Sequence, residues 1–211
     1  MKGRCVMGIL TVYSGAASAQ QPLLNPVLYH RPVSVLAGAI CIVVFLIIRF
    51  GKRGGGDRSG LLSRAVSCGC YDRDRIRGGQ FWRLLTVGFT HIEGWHIAVN
   101  LYSLYALSAL EEAYGHLWFA VILGGSVIGG SLLELAISKT RYSVGLSGGL
   151  YGLMFSYALL IWTYGGNVRS ILITILINLA INFAPGIAWQ AHIGGALSGL
   201  VLTQVMFYAA R

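Results

Sequence analysis

Two polar residues in an otherwise apolar chain have the chemistry needed for nucleophilic catalysis. One is Ser147, in Gly145-Leu146-Ser147-Gly148-Gly149, and the other is His192, in Ala191-His192-Ile193-Gly194-Gly195. A serine hydroxyl becomes a competent nucleophile when a neighbouring imidazole takes its proton. A triad would add a carboxylate, but the chain contains no Asp or Glu after Glu134. Serine and histidine must therefore work as a dyad, and another group must orient the imidazole. Tyr151, one helical turn from Ser147 on the same face, is placed to do so. Acyl transfer also requires hydrogen-bond donors aimed at the developing oxyanion. His96-xxx-Asn100 sets an imidazole and a carboxamide one turn apart on one helix face, and the backbone amide of Ser147 adds a third donor. Gly145, Gly148 and Gly149 remove side-chain bulk around the hydroxyl. The space they leave predicts a small substrate residue before the cut, with helix-weakening residues beyond it.

The elements that must position these groups are apolar and long. The chain has 211 residues, 55% hydrophobic and 11% charged, with a mean hydropathy of +0.68. A soluble domain carries about 25% charged residues; this chain cannot cover a water-facing surface and reads as an integral membrane protein. Six apolar stretches follow: Val33–Phe50, Trp95–Tyr114, Leu117–Ser138, Gly145–Tyr164, Val168–Ala184 and Gly186–Tyr208. Each is close to the roughly 20 residues that span a bilayer as helix. The fold class expected is an all-α polytopic membrane protein, a six-helix bundle. Residues 33–211 form the membrane domain, with a first loop at about 51–88, and residues 1–32 form an N-terminal leader. Trp95, Trp118, Trp162 and Trp189 fall near segment ends, as an interfacial belt requires. Small-xxx-small spacings at Gly125/Gly129, Gly145/Gly149, Gly148/Gly152 and Gly195/Gly199 predict close helix contacts.

The formal net charge is +9. The basic residues cluster in the first loop between apolar segments, which points to lipid head groups and away from nucleic acid. Cys68-Gly-Cys70 is too tightly spaced for a redox or zinc pair, and no metal or cofactor is implied. The start of the chain (MKGR, an apolar run, then Ala17-Ser18-Ala19) resembles a secretory signal, but its apolar run is short and broken by Thr11 and Ser14.

Topology supplies the strongest argument. His96, Ser147 and His192 each begin an even-numbered segment, so a six-span bundle brings all three to one side of the membrane at similar depth. Polar groups in membrane segments are functional candidates by default. Singly, each has a plainer reading as packing glycine, core histidine or interhelical asparagine. Gly-x-Ser-x-Gly also fits the nucleophile elbow of soluble hydrolases, but that elbow needs a preceding strand and an acid before the histidine. A small transporter would also bury polar groups, yet no inverted repeat or broken helix pair is evident.

Over about residues 80–205 the chain resembles the rhomboid family of intramembrane serine proteases. The likeness runs through Trp82-Arg83, LLTVGFTH, His96-xxx-Asn100, Leu110-Glu111, Gly145-x-Ser147-Gly148, Tyr151 and Ala191-His192-Ile193-Gly194-Gly195. The resemblance implies Ser147 as nucleophile, His192 as base, and His96 and Asn100 as oxyanion donors. Tyr151 would pack on the catalytic imidazole, and Trp82, Arg83 and Glu111 would be structural, holding the first loop. It implies a multi-pass protein, most naturally of the cell membrane, that cuts transmembrane proteins near their entry into the bilayer without a cofactor. The alternative is a non-proteolytic rhomboid fold that binds client proteins. Nine of the sixteen basic residues lie between Arg49 and Arg83 against three acids. The positive-inside rule places that loop in the cytoplasm, whereas the family places it outside.

Overall fold

The first apolar stretch becomes helix α1, Pro32–Phe50, in the computed structural model, which describes residues 30–52, 57–181 and 186–209. Proline at the first helical position costs no hydrogen bond, because that amide has no intrahelical partner. The next orphan amides, Val33 N and Ser34 N, donate to the Glu111 carboxylate at 2.8 and 2.9 Å. Glu111 is fully buried and also accepts from Ser34 Oγ. It therefore caps α1 from across the bundle. These hydrogen bonds, with a further contact to His116 Nδ1 at 2.8 Å, tie α1 to the segment ending at Tyr114, where a carboxylate satisfies helix N-terminal amides better than a neutral group does. Arg31 is bound as well, to Glu112 at 2.6 Å and to Ser108 at 2.9 Å, which ties the residue before α1 to the second apolar stretch. The signal-like features at residues 1–19 lie outside the described residues.

The first loop is structured. It carries helix α2 (Arg58–Ser67), strand β1 (Tyr71–Asp72), α3 (Arg73–Arg77), α4 (Arg83–Thr86) and a 3-10 turn at Val87–Phe89. The Arg83 guanidinium organises it, donating to the carbonyls of Val66 and Cys70 at 2.9 Å each and to Gln80 Oε1 at 2.8 Å. Trp82 lies under that guanidinium with its ring centroid 4.5 Å away. Trp82 and Phe81 are themselves half or more exposed, suiting an interfacial position. The all-helical expectation misses one element: β1 pairs antiparallel with β2 (Tyr142–Ser143), Tyr71 opposite Ser143. Two-residue strands have no period to read in a sequence.

The loop also carries a topological probe. Cys68 is half-buried and Cys70 buried, both as free thiols. Burial pushes Cys70 up to about 12 and raises Cys68 as well. The thiolate is the reactive form, so Cys68 alone should report, faster as pH rises. With the family orientation, a membrane-impermeant maleimide added to intact cells is expected to modify Cys68. Modification only after the membrane is opened would put the loop in the cytoplasm.

Beyond the loop follow α5 (Gly94–Leu107), α6 (Ala109–Tyr114), α7 (His116–Ile137), α8 (Ser147–Thr163), α9 (Arg169–Ile181) and α10 (Trp189–Ala209). Three of the described helices, α1, α7 and α10, are long and apolar enough to cross a membrane. The second stretch of the sequence does not form one helix; it divides at Ser108, whose amide donates to Tyr105 O. At 17 residues α8 is about 26 Å long, short of a hydrocarbon core of about 30 Å.

Helices α7, α8 and α10 form the packed centre, α10 against both others. Glycine makes this possible. A Cβ on Gly195 would strike the Gly148 backbone, and one on Gly199 the Gly152 backbone, so the two small-xxx-small pairs interlock. Gly129 and Gly130 admit Ser198 and Ala191 in the same way. Gly145/Gly149 is not such a pair, because Gly145 precedes α8 with φ +121. Its role is a turn in a conformation that favours glycine. Gly199→Leu meets backbone, which cannot swing aside, and is expected to lower stability by about 1–3 kcal/mol or more. Gly94→Ala, with open space around it, should be near neutral. Thermal unfolding in detergent reads the contrast.

Candidate active site

Ser147 is the first residue of α8, immediately after the Gly145-Leu146 turn. The turn is anchored by Gly145 N donating to Val87 O at 3.2 Å, which ties it to the first loop. The helix ladder begins with Leu150 N to Leu146 O. The amides of Ser147, Gly148 and Gly149 therefore precede the ladder and sit at the positive end of the α8 dipole.

His192 lies in the first turn of α10, brought beside α8 by the interlocked glycines. Its Nε2 is 2.8 Å from Ser147 Oγ. The imidazole is buried, at 8% exposure, and stacks on Tyr151: the centroids are 4.3 Å apart and the planes 9° from parallel. The Tyr151 hydroxyl donates to Asn178 O in α9 at 2.7 Å. Ring stacking and a backbone anchor together fix the face on which the imidazole lies. No carboxylate is hydrogen-bonded to His192 among the described residues, in keeping with the chain's lack of acids after Glu134.

His96 and Asn100 share one face of α5, as their spacing requires. The His96 ring packs onto Gly145: a Cβ there would lie 2.6 Å from His96 Cε1. Glycine at 145 thus serves two purposes, the positive φ and the room for this ring. Asn100 is buried and donates one amide hydrogen to His96 O at 2.8 Å, leaving a second for another acceptor. The ends of α5, α8 and α10 converge, and with them His96, Ser147 and His192. Trp82, Arg83 and Glu111 lie elsewhere, in the first loop and at the start of α1.

Two polar residues at this end of the molecule were not singled out as site residues from the sequence. His91 is fully buried and meets His96 edge to face, centroids 5.1 Å apart. The two are five positions apart, a spacing with no helical meaning because His91 lies in the loop before α5. Glu134 is the last acid of the chain and lines the cavity that Ser147 also lines. The packing of α7 on α8 brings them to one cavity, and Ser143 of β2 donates to the Glu134 carboxylate at 2.8 Å. Among the described residues no cluster of three metal-ligating side chains occurs.

A model of the Rhomboid domain matches residues 78–209. Similar proteins include RHOMBOID-like protein 1 of Arabidopsis thaliana, 36% identical over 131 residues, 58% of this chain and 34% of that protein. RHOMBOID-like protein 2 of the same plant is 38% identical over 142 residues, 64% of this chain and 45% of that protein. Rhomboid protease GluP of Bacillus subtilis (strain 168) is 30% identical over 171 residues, 76% of this chain and 32% of that protein. The chain thus spans between about a third and a half of the length of these relatives.

Proposed function

The chain belongs to the rhomboid family, and from that premise we propose that it is an intramembrane serine endopeptidase acting through a Ser147–His192 dyad. It is a multi-pass membrane protein, with three long apolar helices within a helical rhomboid fold. A six-span arrangement adds α5, α8 and α9 as shorter crossings. The observation that carries the reading is the 2.8 Å contact between Ser147 Oγ and His192 Nε2, with the imidazole held flat on Tyr151.

The chemistry proceeds in two halves. Ser147 Oγ attacks the carbonyl carbon of the scissile bond while His192 Nε2 takes its proton. Charge on the carbonyl oxygen is met by the free amides at the start of α8 and by the His96 and Asn100 side chains. His192 returns the proton to the leaving amine, the C–N bond breaks, and an ester to Ser147 remains. Water then attacks that ester with His192 as base, and Ser147 recovers its proton. The short α8 recesses Ser147 below the bilayer surface, so the substrates would be transmembrane proteins cut near their entry into the bilayer. An intact membrane helix keeps its own amides hydrogen-bonded, so cleavage favours sequences that unwind easily. The cell membrane, with the first loop outside, is the compartment that accords with this reading, and lipid head groups meet the exposed arginines of that loop.

The test is attachment of a serine-directed fluorophosphonate to the purified protein. Labelling of the wild type, absent in Ser147→Ala, is expected. An unlabelled wild-type protein would favour a client-binding rhomboid fold without protease activity.

A further inference from the structure

Three buried polar atoms that lack a well-formed hydrogen bond among the described residues fall together beside the oxyanion donors. They are both ring nitrogens of His91 and Oδ1 of Asn100. Neither the dyad nor the donor set uses His91, yet its ring bears on both donors. It meets the His96 ring edge to face, at 5.1 Å and 70°, while Trp95 stacks on that same ring at 5.4 Å and 30°. The Phe89 carbonyl and the Asn100 carboxamide both act on the His91 ring, and a neutral imidazole has one N–H to give. Backbone contacts hold His91 in register with the nucleophile. Val87 O accepts from Thr90 N at 3.1 Å, from Thr90 Oγ1 at 2.9 Å and from Gly145 N at 3.2 Å. One carbonyl thus fixes both the residue before His91 and the turn before Ser147.

We propose that His91 is a positioning residue for the oxyanion donors: its ring N–H turns to Asn100 Oδ1 and holds the carboxamide with its uncommitted N–H toward the carbonyl that Ser147 attacks, while its ring edge backs the His96 imidazole. The inference rests on the protease reading above. A carboxamide turned over exchanges a donor for an acceptor. Asn100 so turned would aim a lone pair at the developing oxyanion, and the site would lose a donor and gain a repulsion. The bond from Asn100 Nδ2 to His96 O at 2.8 Å favours the productive orientation. That orientation leaves Asn100 Oδ1 in need of a donor, and a buried acceptor without one is costly. No other donor meets it among the described residues, and the His91 ring lies beside it. Catalytic hydrogen bonds are often long or poorly aligned without substrate and tighten in the complex, in keeping with the imperfect contact between the two side chains.

The experiment compares His91→Leu and His91→Gln in the full chain, alone and combined with Asn100→Ala, on one single-span substrate that the wild type cleaves in detergent. His91→Leu keeps most of the bulk and removes the N–H. It should lower kcat by about tenfold or more, part of the 10²–10³ that a whole donor is worth, with KM unchanged because the donors act on the transition state. His91→Gln, whose side-chain amide can donate in the same direction, should recover most of that loss. In the Asn100→Ala background His91→Leu should slow turnover by less than about threefold more, the mark of two residues acting through one bond. Wild-type turnover by His91→Leu overturns the proposal. So does an equal loss in both backgrounds, which would give His91 a role independent of Asn100, and so does a raised KM at unchanged kcat. Fluorophosphonate attachment to Ser147 and thermal unfolding verify that each variant is folded. Where His91→Leu does not fold, His91→Gln carries the test: turnover near that of the wild type is expected. Turnover as slow as that of Asn100→Ala, in a protein that labels and melts like the wild type, overturns the proposal. A wild type that neither labels nor cleaves removes the protease reading, a failure distinct from an active protein in which His91 is freely replaced.

Discussion

Ser147→Ala and His192→Ala are each expected to remove essentially all peptide-bond cleavage, by on the order of 10⁶-fold where serine and histidine act as one unit. The physical basis is the 2.8 Å contact between Ser147 Oγ and His192 Nε2. Without the imidazole the hydroxyl keeps its proton, and without the hydroxyl the imidazole has nothing to activate. The double variant should therefore be no slower than either single one, because the second change removes a function already lost. Both substitutions make smaller side chains, and neither touches the glycine contacts between α8 and α10. Ser147→Ala should accordingly unfold near the wild-type temperature, whereas His192→Ala, which empties buried space against Tyr151, should unfold somewhat lower. Gel-based turnover of a tagged single-span substrate, read beside that melting curve, checks both halves. Substantial turnover by Ser147→Ala would end the serine-protease assignment.

The next largest effect is expected at the oxyanion donors. Losing one such donor typically costs about 10²–10³ in rate. Asn100→Ala removes the side-chain amide, whose second hydrogen is uncommitted to His96 O. His96→Ala removes the ring that packs on Gly145 and touches His91. Both variants should turn substrate over more slowly by that order while still accepting a fluorophosphonate on Ser147, since the nucleophile and base remain. The two changes are expected to differ in one respect. His96→Ala opens space against Gly145 and should also lower thermal stability, whereas Asn100→Leu, which keeps the volume, should lose rate with little loss of stability. Wild-type rates in both alanine variants would assign the oxyanion to the backbone amides of Ser147 and Gly148 alone.

Much of this was written in residue type and order. Apolar runs of membrane length specify helices wherever they occur, because backbone amides in lipid have no other partners. The order of His96, Ser147 and His192 at the starts of alternate segments brings them to one end for any simple up-and-down threading. Tyr151 follows from helical periodicity alone, four residues after Ser147. The absence of acids beyond Glu134 limits the proposed catalytic group to a serine–histidine pair from residue order alone.

Other features depended on contacts between residues distant in the chain. Glu111 caps α1 because α6 ends beside the start of α1, a neighbour relation that no local pattern encodes. The first loop folds around Arg83, a single guanidinium bonding carbonyls 13 and 17 residues away, and is pinned by strands too short to show alternation. The six apolar stretches were legible as runs, but the break at Ser108 and the shortness of α8 were not, since hydropathy averages over turns. Gly145 read as half of a packing pair and proved to be a left-handed turn making room for an imidazole, because spacing does not disclose φ. Glu134 read merely as the last acid in the chain. Its place at the cavity beside Ser147 depends on the packing of α7 on α8 and on Ser143 of β2, which donates to its carboxylate, contacts between residues that no local pattern encodes.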